Sequence, residues 1–305
     1  MITSVFKNSK PINSIIVIVF ITLVFILSNY FTSNSVLEGY STDILKYGIS
    51  IFSVFVLDFI ISKNKLTKKN SYATMTFGLL FAMFPEALRY LDLLIANLLV
   101  LFALRRLISL HSRISVKKKL FDAGFWIGLA SFFDTWALLF FLIIIVALIY
   151  YWQNDLKNLL VPFLGLATVW IIYISYCIIA DGVFLQPGTF RLYASLDFTS
   201  YDSPSKIITL TIAASMYVWM TFFYFKALSE KNKKVRPSFF LVVWSSVIAL
   251  LLAVISPVKN GSEFIFLLAP FSIIMANYLE VISERWFREV FVSLLIIAPI
   301  ISLLL

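Results

Sequence analysis

The sequence contains few of the residues on which soluble metalloenzymes and disulfide-rich domains depend. Its 305 residues include one cysteine, Cys177, and one histidine, His111. A single cysteine excludes a disulfide framework and a cysteine-based zinc site, and a single histidine excludes a histidine-rich iron centre. GxSxG, Walker, GxGxxG and HExxH motifs are also missing, so soluble hydrolases, NTPases and dehydrogenases have no support. We therefore predict no metal ion and no cofactor.

Charged residues are scarce and apolar residues are abundant. Only 13% of the residues are charged, where about 25% is usual in soluble domains. Hydrophobic residues make up 61% of the chain, and the mean hydropathy is +0.96. A soluble fold of this size could not hide so much apolar surface from water. The composition predicts an all-α, polytopic transmembrane helical bundle.

Eleven apolar stretches match, or come close to, the length of about 20 residues that spans a bilayer. Three of them, the third to the fifth, are short, and we expect them to be tilted, re-entrant or deep in the bundle. Together they predict a single integral membrane domain over residues 1–305. The predicted spans are 14–30, 45–62, 72–84, 91–104, 120–133, 136–152, 159–180, 206–225, 238–256, 264–279 and 289–305.

The basic residues give the expected orientation. With the N-terminus inside, twenty of the 25 Lys and Arg residues fall in cytoplasmic segments and five fall outside. This positive-inside bias predicts a cytoplasmic N-terminus, a periplasmic C-terminus and a multi-pass protein of the bacterial inner membrane. It also explains the net charge of +9 without nucleic acid as a partner.

Acidic residues show the opposite bias, because nine of sixteen fall outside or at the outer membrane edge. Solvation of the outer loops explains most of them, but Asp92 and Asp134 adjoin apolar runs, where a carboxylate usually has a partner or a function. The nine residues are Glu38, Asp43, Glu86, Asp92, Asp134, Asp181, Asp197, Asp202 and Glu263.

One outer segment combines acidic and basic side chains at helical spacing. Glu86, Arg89 and Asp92 are three residues apart and would share one face of a helical turn. Two interpretations stay open, a structural ion pair and an outward-facing polar pocket with an anion site. Two interpretations also remain for the aromatic-rich outer loop 181–205. It is either an aromatic belt at the membrane interface or the cover of a site for a lipid-linked or sugar-like ligand.

Four segments carry a resemblance to a family. They are MITSVFKNSKPIN at the start, KNKLTKKNSYA at 63–73, LLFAMFPEAL at 79–88 and KLFDAGFWIGLASFF at 119–133. They resemble an uncharacterised family of polytopic inner-membrane proteins from Bacteroidota. This resemblance runs along most of the chain and implies location and topology without an activity.

A second resemblance concerns architecture. Residues 117–152 and 159–173 are similar to the middle of membrane-embedded glycosyltransferases of the C superfamily, and residues 256–280 resemble one of their late helices. This resemblance implies a polyprenyl-phosphate-linked sugar as ligand at the periplasmic face. It implies Glu38 or Asp43 as the general base, although the paired acidic motif of those enzymes is missing here. The predicted substrate-binding residues are Glu86, Arg89, Asp134, Arg191 and Lys259, of which Arg89, Arg191 and Lys259 would contact the phosphate.

Three hypotheses of different classes follow. The first is an envelope protein that acts on, or only binds, a polyprenyl-phosphate-linked sugar. The second is a non-enzymatic subunit or scaffold that packs against a membrane protein partner in envelope biogenesis or secretion. The third is a small-solute transporter, which the near absence of charges inside the spans disfavours. In each case the lipid bilayer surrounds the chain.

Overall fold

The described part of the chain is almost entirely helical. The structure, a computed structural model, describes residues 2–30, 40–151, 156–184 and 193–304, and contains no strand within these ranges. The expected all-α fold is therefore confirmed. The α-helices in these ranges are α1 (Ile2–Phe6), α2 (Pro11–Tyr30), α3 (Tyr40–Asn64), α4 (Tyr72–Met83), α5 (Leu91–Ile108), α6 (Val116–Phe133), α7 (Phe141–Tyr150), α8 (Leu156–Asp181), α9 (Pro204–Leu228), α10 (Arg236–Ile255), α11 (Ile265–Val281) and α12 (Arg285–Leu304).

Within the described ranges, each predicted apolar stretch overlaps a helix, and the stretch 136–152 overlaps both the 3₁₀ segment Thr135–Phe140 and α7. Seven helical segments in the described ranges are long and apolar enough to cross a membrane, and they coincide largely with α2, α3, α5, α8, α9, α10 and α11. The segments Tyr72–Met83 and Thr135–Tyr150 are apolar but shorter. The chain is therefore a multi-pass membrane protein. The number of eleven spans and the identity of the membrane stay predictions.

The chain divides into two compact units. The first unit comprises Met1–Leu94, Leu196–Lys231 and Val258–Leu305, and the second comprises Ile95–Ser195 and Asn232–Pro257. The first unit thus contains α1 to α4, α9, α11 and α12. Most of α5 belongs to the second unit, together with α6, α7, α8 and α10.

Helix α4 is the short interior helix of the first unit. Eleven of its twelve residues are buried, and it contacts α2, α3, α11 and α12. In α11, fifteen of seventeen residues are buried, and the hydroxyl of Thr76 in α4 donates a hydrogen bond to the carbonyl of Ser272 in α11 (3.3 Å). A helix covered on all sides has no polar face, which explains why this stretch contains no charged residue.

Proline ends α4 and begins the turn that carries two predicted site residues. Pro85 lacks an amide hydrogen and disfavours helical backbone at the residue before it, and Phe84 accordingly has φ −126° and ψ 65°. A 3₁₀ turn, Pro85–Leu88, follows, with Glu86 in it and Arg89 directly after it. The ring of Phe84 packs on that of Phe264, with centroids 4.8 Å apart.

The ends of the helices in the first unit form two groups, as expected for a chain whose helices alternate in direction. At one end the amide of Ser9 donates to the carbonyl of Lys69 (3.3 Å), and the amide of Lys68 donates to Glu280 (2.7 Å). At the other end the side-chain amide of Asn260 donates to the Tyr90 hydroxyl (2.7 Å). The charge pattern predicts that the first group lies inside and the second outside.

The second unit is built on a close contact between α6 and α8. A β-carbon placed on Gly124 would lie 2.1 Å from the carbonyl oxygen of Pro162, and one on Gly165 would lie 2.3 Å from that of Phe121. Only glycine allows the two backbones to approach this closely, as is common where membrane helices pack. Within this unit the Tyr151 hydroxyl also donates to the carbonyl of Ile108 (3.1 Å) at the predicted inner end.

Candidate functional site

The first unit contains a partly open cavity of about 310 Å³, which we call the Arg89 cavity. This volume is at the lower end of the range for small-molecule sites, and such sites combine an apolar wall with a few polar groups. The apolar wall comes from α2, α4, α9 and α12. Its members include Phe20, Val24, Leu27, Met83, Leu210, Ile296, Pro299 and Ile300.

The polar lining of the cavity comes from the helix ends and turns that the charge pattern places outside. It joins the turn after α4, the start of α9 and the loop before α11, which are distant in sequence. Two cations, one carboxylate and several neutral donors and acceptors therefore face one space. These residues are Ser28, Glu86, Arg89, Tyr201, Ser203, Ser205, Lys206, Thr209 and Asn260.

Arg89 is held by the end of α2. Its Nε donates to the hydroxyl of Ser28 (3.2 Å), and one terminal nitrogen donates to the Ser28 carbonyl (3.4 Å). In the described part of the chain neither Glu86 nor Asp92 forms an ion pair with it, so the structural ion pair is not the arrangement adopted. The guanidinium keeps donors for an anion in the cavity.

Lys206 supplies the second cation. Its ammonium donates to the carbonyl of Ser200 (3.0 Å) and lies 5.7 Å from the centre of the Tyr201 ring. Both contacts are made within the short segment that leads into α9, so they hold the ammonium at the cavity. Lys206 is one of the five basic residues that the charge pattern places outside, but it is not among the predicted site residues.

Glu263 is the buried carboxylate next to the cavity. Its exposed fraction is 2%, and its two oxygens are both used. Oε1 accepts a hydrogen bond from the Tyr201 hydroxyl, and Oε2 accepts from the amides of Gly261 (2.9 Å) and Asn260 (3.3 Å). The signal in the sequence was an acidic residue at the very start of an apolar run, where a carboxylate needs a partner.

Glu86 differs from Glu263 because its carboxylate has no such partners. Within the described ranges no group donates a hydrogen bond to its side chain, although it lines the cavity. Gly261 lies directly against it: its φ is +109°, and a β-carbon there would come 3.2 Å from Glu86 Oε2. Glycine at this position thus provides both the left-handed turn and the space beside the carboxylate.

Two predicted site residues of the first unit do not line the Arg89 cavity. Asp43, in the first turn of α3, forms an ion pair with Lys46 (3.7 Å). Lys259 is buried, with an exposed fraction of 5%, and its ammonium lies 4.9 Å from the centre of the Phe198 ring. Burial lowers the pKa of Lys259 below its ordinary value. The structure therefore brings Glu86 and Arg89 together, but not these two.

The remaining predicted residues lie elsewhere. Asp134 belongs to the second unit, where its side chain accepts a hydrogen bond from the amide of Trp136 (3.3 Å). Burial raises the pKa of Asp134 to about 6, and the Trp136 hydrogen bond opposes that shift in part. Glu38 and Arg191 lie outside the described residues. No cluster of three or more His, Cys, Asp or Glu side chains suited to a metal ion occurs in the ranges that the structure describes.

Comparison with known proteins places the chain in a family but assigns no activity. No curated protein and no solved structure matches it. Neither the glycosyltransferase resemblance nor an origin in Bacteroidota is therefore supported by a relative. A family of unknown function (DUF6427) matches residues 1–305, as the sequence resemblance to an uncharacterised family led us to expect. The chain belongs to this family, DUF6427.

Proposed function

We propose that the Arg89 cavity binds a membrane lipid with a phosphate in its head group, of which a polyprenyl-phosphate-linked sugar is the class that the sequence resemblance favours. The observation that carries the proposal is the lining of one cavity by Arg89 and Lys206 together with a long apolar wall. An amphipathic cavity of this kind matches an amphipathic ligand.

The two cations support binding of the phosphate. Arg presents several donors in a planar fork, and Lys presents a compact charge, and both bind phosphate oxygens strongly. A hydrogen bond to a charged group contributes about 1.5–3 kcal/mol. Ser28 and Ser200 hold the two side chains in place before a ligand arrives, which reduces the ordering cost of binding.

The apolar wall supports binding of a hydrocarbon chain. Phe20, Val24 and Leu27 lie on α2, and Leu210 lies on α9, and both helices are long and apolar enough to cross a membrane. Burial of apolar surface contributes about 25 cal/mol per Å². A ligand with a hydrocarbon chain gains this contribution, whereas a free sugar phosphate does not.

We propose further that this binding takes place at the periplasmic face of the bacterial inner membrane, in a bundle like that of C-superfamily glycosyltransferases. Transfer of the sugar would require a carboxylate to take a proton from the acceptor hydroxyl. The candidates from the resemblance are Glu38 and Asp43. Binding without transfer uses the same cations and the same wall.

The test is to identify the lipid that stays with the purified protein. The wild-type chain, the cavity-filling variant Ala82→Phe and the control Ala214→Phe would be purified in mild detergent, denatured, and analysed by mass spectrometry for lipids. Ala82 lines the cavity, whereas Ala214 is an exposed residue of α9 that does not. We expect a phosphate-bearing lipid in the wild-type and Ala214→Phe samples and its loss from Ala82→Phe.

Two results would contradict the proposal. One is a wild-type protein that carries no phosphate lipid but a stoichiometric protein partner, which would favour a non-enzymatic subunit. The other is equal lipid in Ala82→Phe and wild type when both elute as folded, monodisperse protein.

Catalysis is tested separately in cells that depend on this protein for a normal envelope. Glu38→Gln and Asp43→Asn would be compared with the wild-type chain for rescue of the envelope defect. Loss of rescue at matched expression supports the general-base assignment, and full rescue by both variants overturns it.

A further inference from the structure

We propose that Glu86 selects a lipid head group that carries a hydrogen-bond donor, an ammonium or a hydroxyl, beside its phosphate. This inference rests on the proposed function, because it concerns the ligand of the same cavity. It adds a second recognised group to the phosphate and a residue that determines specificity.

The first observation is the contrast between two neighbouring carboxylates. Glu263 accepts hydrogen bonds on both oxygens from Tyr201 and from two backbone amides. Glu86 lines the cavity, and nothing in the described ranges donates to its carboxylate. Two lone-pair-rich oxygens at the cavity wall are therefore available to a donor on the ligand.

The second observation is the lack of a neutralising partner. Arg89 is three residues from Glu86, but its Nε and a terminal nitrogen turn to Ser28 instead. The cavity thus contains a separated negative and positive side chain rather than a closed ion pair. A head group with a donor next to a phosphate has the complementary arrangement of charge.

The third observation concerns space. Gly261 has φ +109°, and its missing β-carbon would lie 3.2 Å from Glu86 Oε2 and 3.6 Å from the carboxyl carbon. Any larger residue there would press on the carboxylate. The loop before α11 therefore leaves room beside a carboxylate that accepts no hydrogen bond from the described ranges.

A carboxylate in a phosphate site also acts against competing ligands. It repels a head group that brings only negative charge, so specificity arises from an unfavourable contact as well as a favourable one. Glu86 therefore disfavours head groups without a donor, and the two cations alone account for attraction of the phosphate.

The experiment uses two pairs of lipids with identical acyl chains. Phosphatidylethanolamine and phosphatidylcholine are both zwitterionic, but only the first has N–H donors. Phosphatidylglycerol and phosphatidylmethanol are both monoanionic, but only the first has hydroxyl donors. Binding of each lipid to the purified full chain in detergent would be measured by native mass spectrometry for wild type, Glu86→Gln, Glu86→Leu and the exposed control Glu284→Gln.

We expect wild type and Glu284→Gln to prefer the donor-bearing lipid of at least one pair about tenfold, which corresponds to one hydrogen bond to a charged group. A preference in the first pair identifies an ammonium, and one in the second pair identifies a hydroxyl. Glu86→Gln keeps an acceptor without the charge, so it should lose an ammonium preference and retain most of a hydroxyl preference. Glu86→Leu should lose both.

Two outcomes would overturn the inference. One is equal binding of both lipids within each pair by the wild-type chain. This result would refute recognition of a donor on the head group but would leave phosphate binding intact. The other is a preference that persists in Glu86→Leu, which would show that another residue is responsible for it. The proposed function fails in a different way, namely when the purified wild-type protein carries no phosphate-bearing lipid and also binds none of the four lipids.

Discussion

At the scale of single residues, the Tyr201–Glu263 hydrogen bond joins a residue of the cavity lining to a buried carboxylate. The Tyr201 hydroxyl donates to a carboxylate that is 2% exposed, and Lys206 stacks near the same ring. A buried carboxylate that loses a donor pays a desolvation penalty that water does not compensate. This hydrogen bond therefore fixes the segment before α9 to the loop before α11.

Removal of that hydroxyl should destabilise the protein. We predict that Tyr201→Phe lowers the stability by about 1–3 kcal/mol, because Glu263 keeps only its backbone donors. Thermal unfolding in detergent measures the change. Tyr176→Phe removes the hydroxyl of an exposed tyrosine and should have no effect; equal melting temperatures for all three proteins would contradict the prediction.

Asp134 gives the second unit a pH dependence of known sign. Burial raises its pKa from 3.8 to about 6, so between these values the folded protein keeps a proton that the unfolded chain has released. Stability should therefore fall as the pH rises through this window, by about 3 kcal/mol at about 1.4 kcal/mol per pH unit.

Asp134→Asn keeps an oxygen for the Trp136 amide but removes the charge. We predict a higher melting temperature than wild type at pH 7.5 and a difference that vanishes near pH 4. Melting curves between pH 4 and 8 measure this, with the exposed Asp202→Asn as control. A variant that melts below wild type at pH 7.5 would contradict the assignment.

At the scale of helices, the sequence predicts where the elements lie better than how they pack. The run 72–84 is recognisable as helix α4 and ends at Pro85 as expected, because proline acts locally. Its place in the interior of the first unit depends on α2, α3, α11 and α12, which no local pattern encodes. The same limit applies to the site: Glu86 and Arg89 are evident beside Pro85, whereas Tyr201 and Glu263 meet only through the fold.

Contact between α6 and α8 gives a direct test of the packing. We predict that Gly165→Ala lowers stability by about 1–3 kcal/mol, because the added methyl group would lie 2.3 Å from the Phe121 carbonyl oxygen. Gly48→Ala in α3 is the matched control, since no atom lies within 4 Å of its β-carbon position. Alanine there should be neutral or stabilising by up to about 1 kcal/mol. Equal effects of the two substitutions would contradict the close contact.

At the scale of the whole molecule, the charge pattern and the grouping of helix ends agree on an alternating chain. The charge pattern predicts which side faces the cytoplasm, and the grouping of helix ends does not test that prediction. With Cys177 replaced by Ala, single cysteines at Lys65 and Asp202 would report the sides, because both positions are exposed. We predict that a membrane-impermeant thiol reagent labels Asp202→Cys in spheroplasts and labels Lys65→Cys only after lysis. The reverse pattern would invert the orientation.

The central claim is that Arg89 and Lys206 hold the phosphate of a membrane lipid. Its most direct test is the phosphorus content of the purified protein after exhaustive detergent washing. Wild type is compared with Arg89→Gln/Lys206→Gln and with Lys7→Gln/Arg285→Gln, which removes two exposed cations of the same unit. We predict stoichiometric phosphate in wild type and in the control, and its loss from the cavity variant, because two charge-assisted contacts of about 1.5–3 kcal/mol disappear. Equal phosphorus in all three folded proteins would contradict the claim.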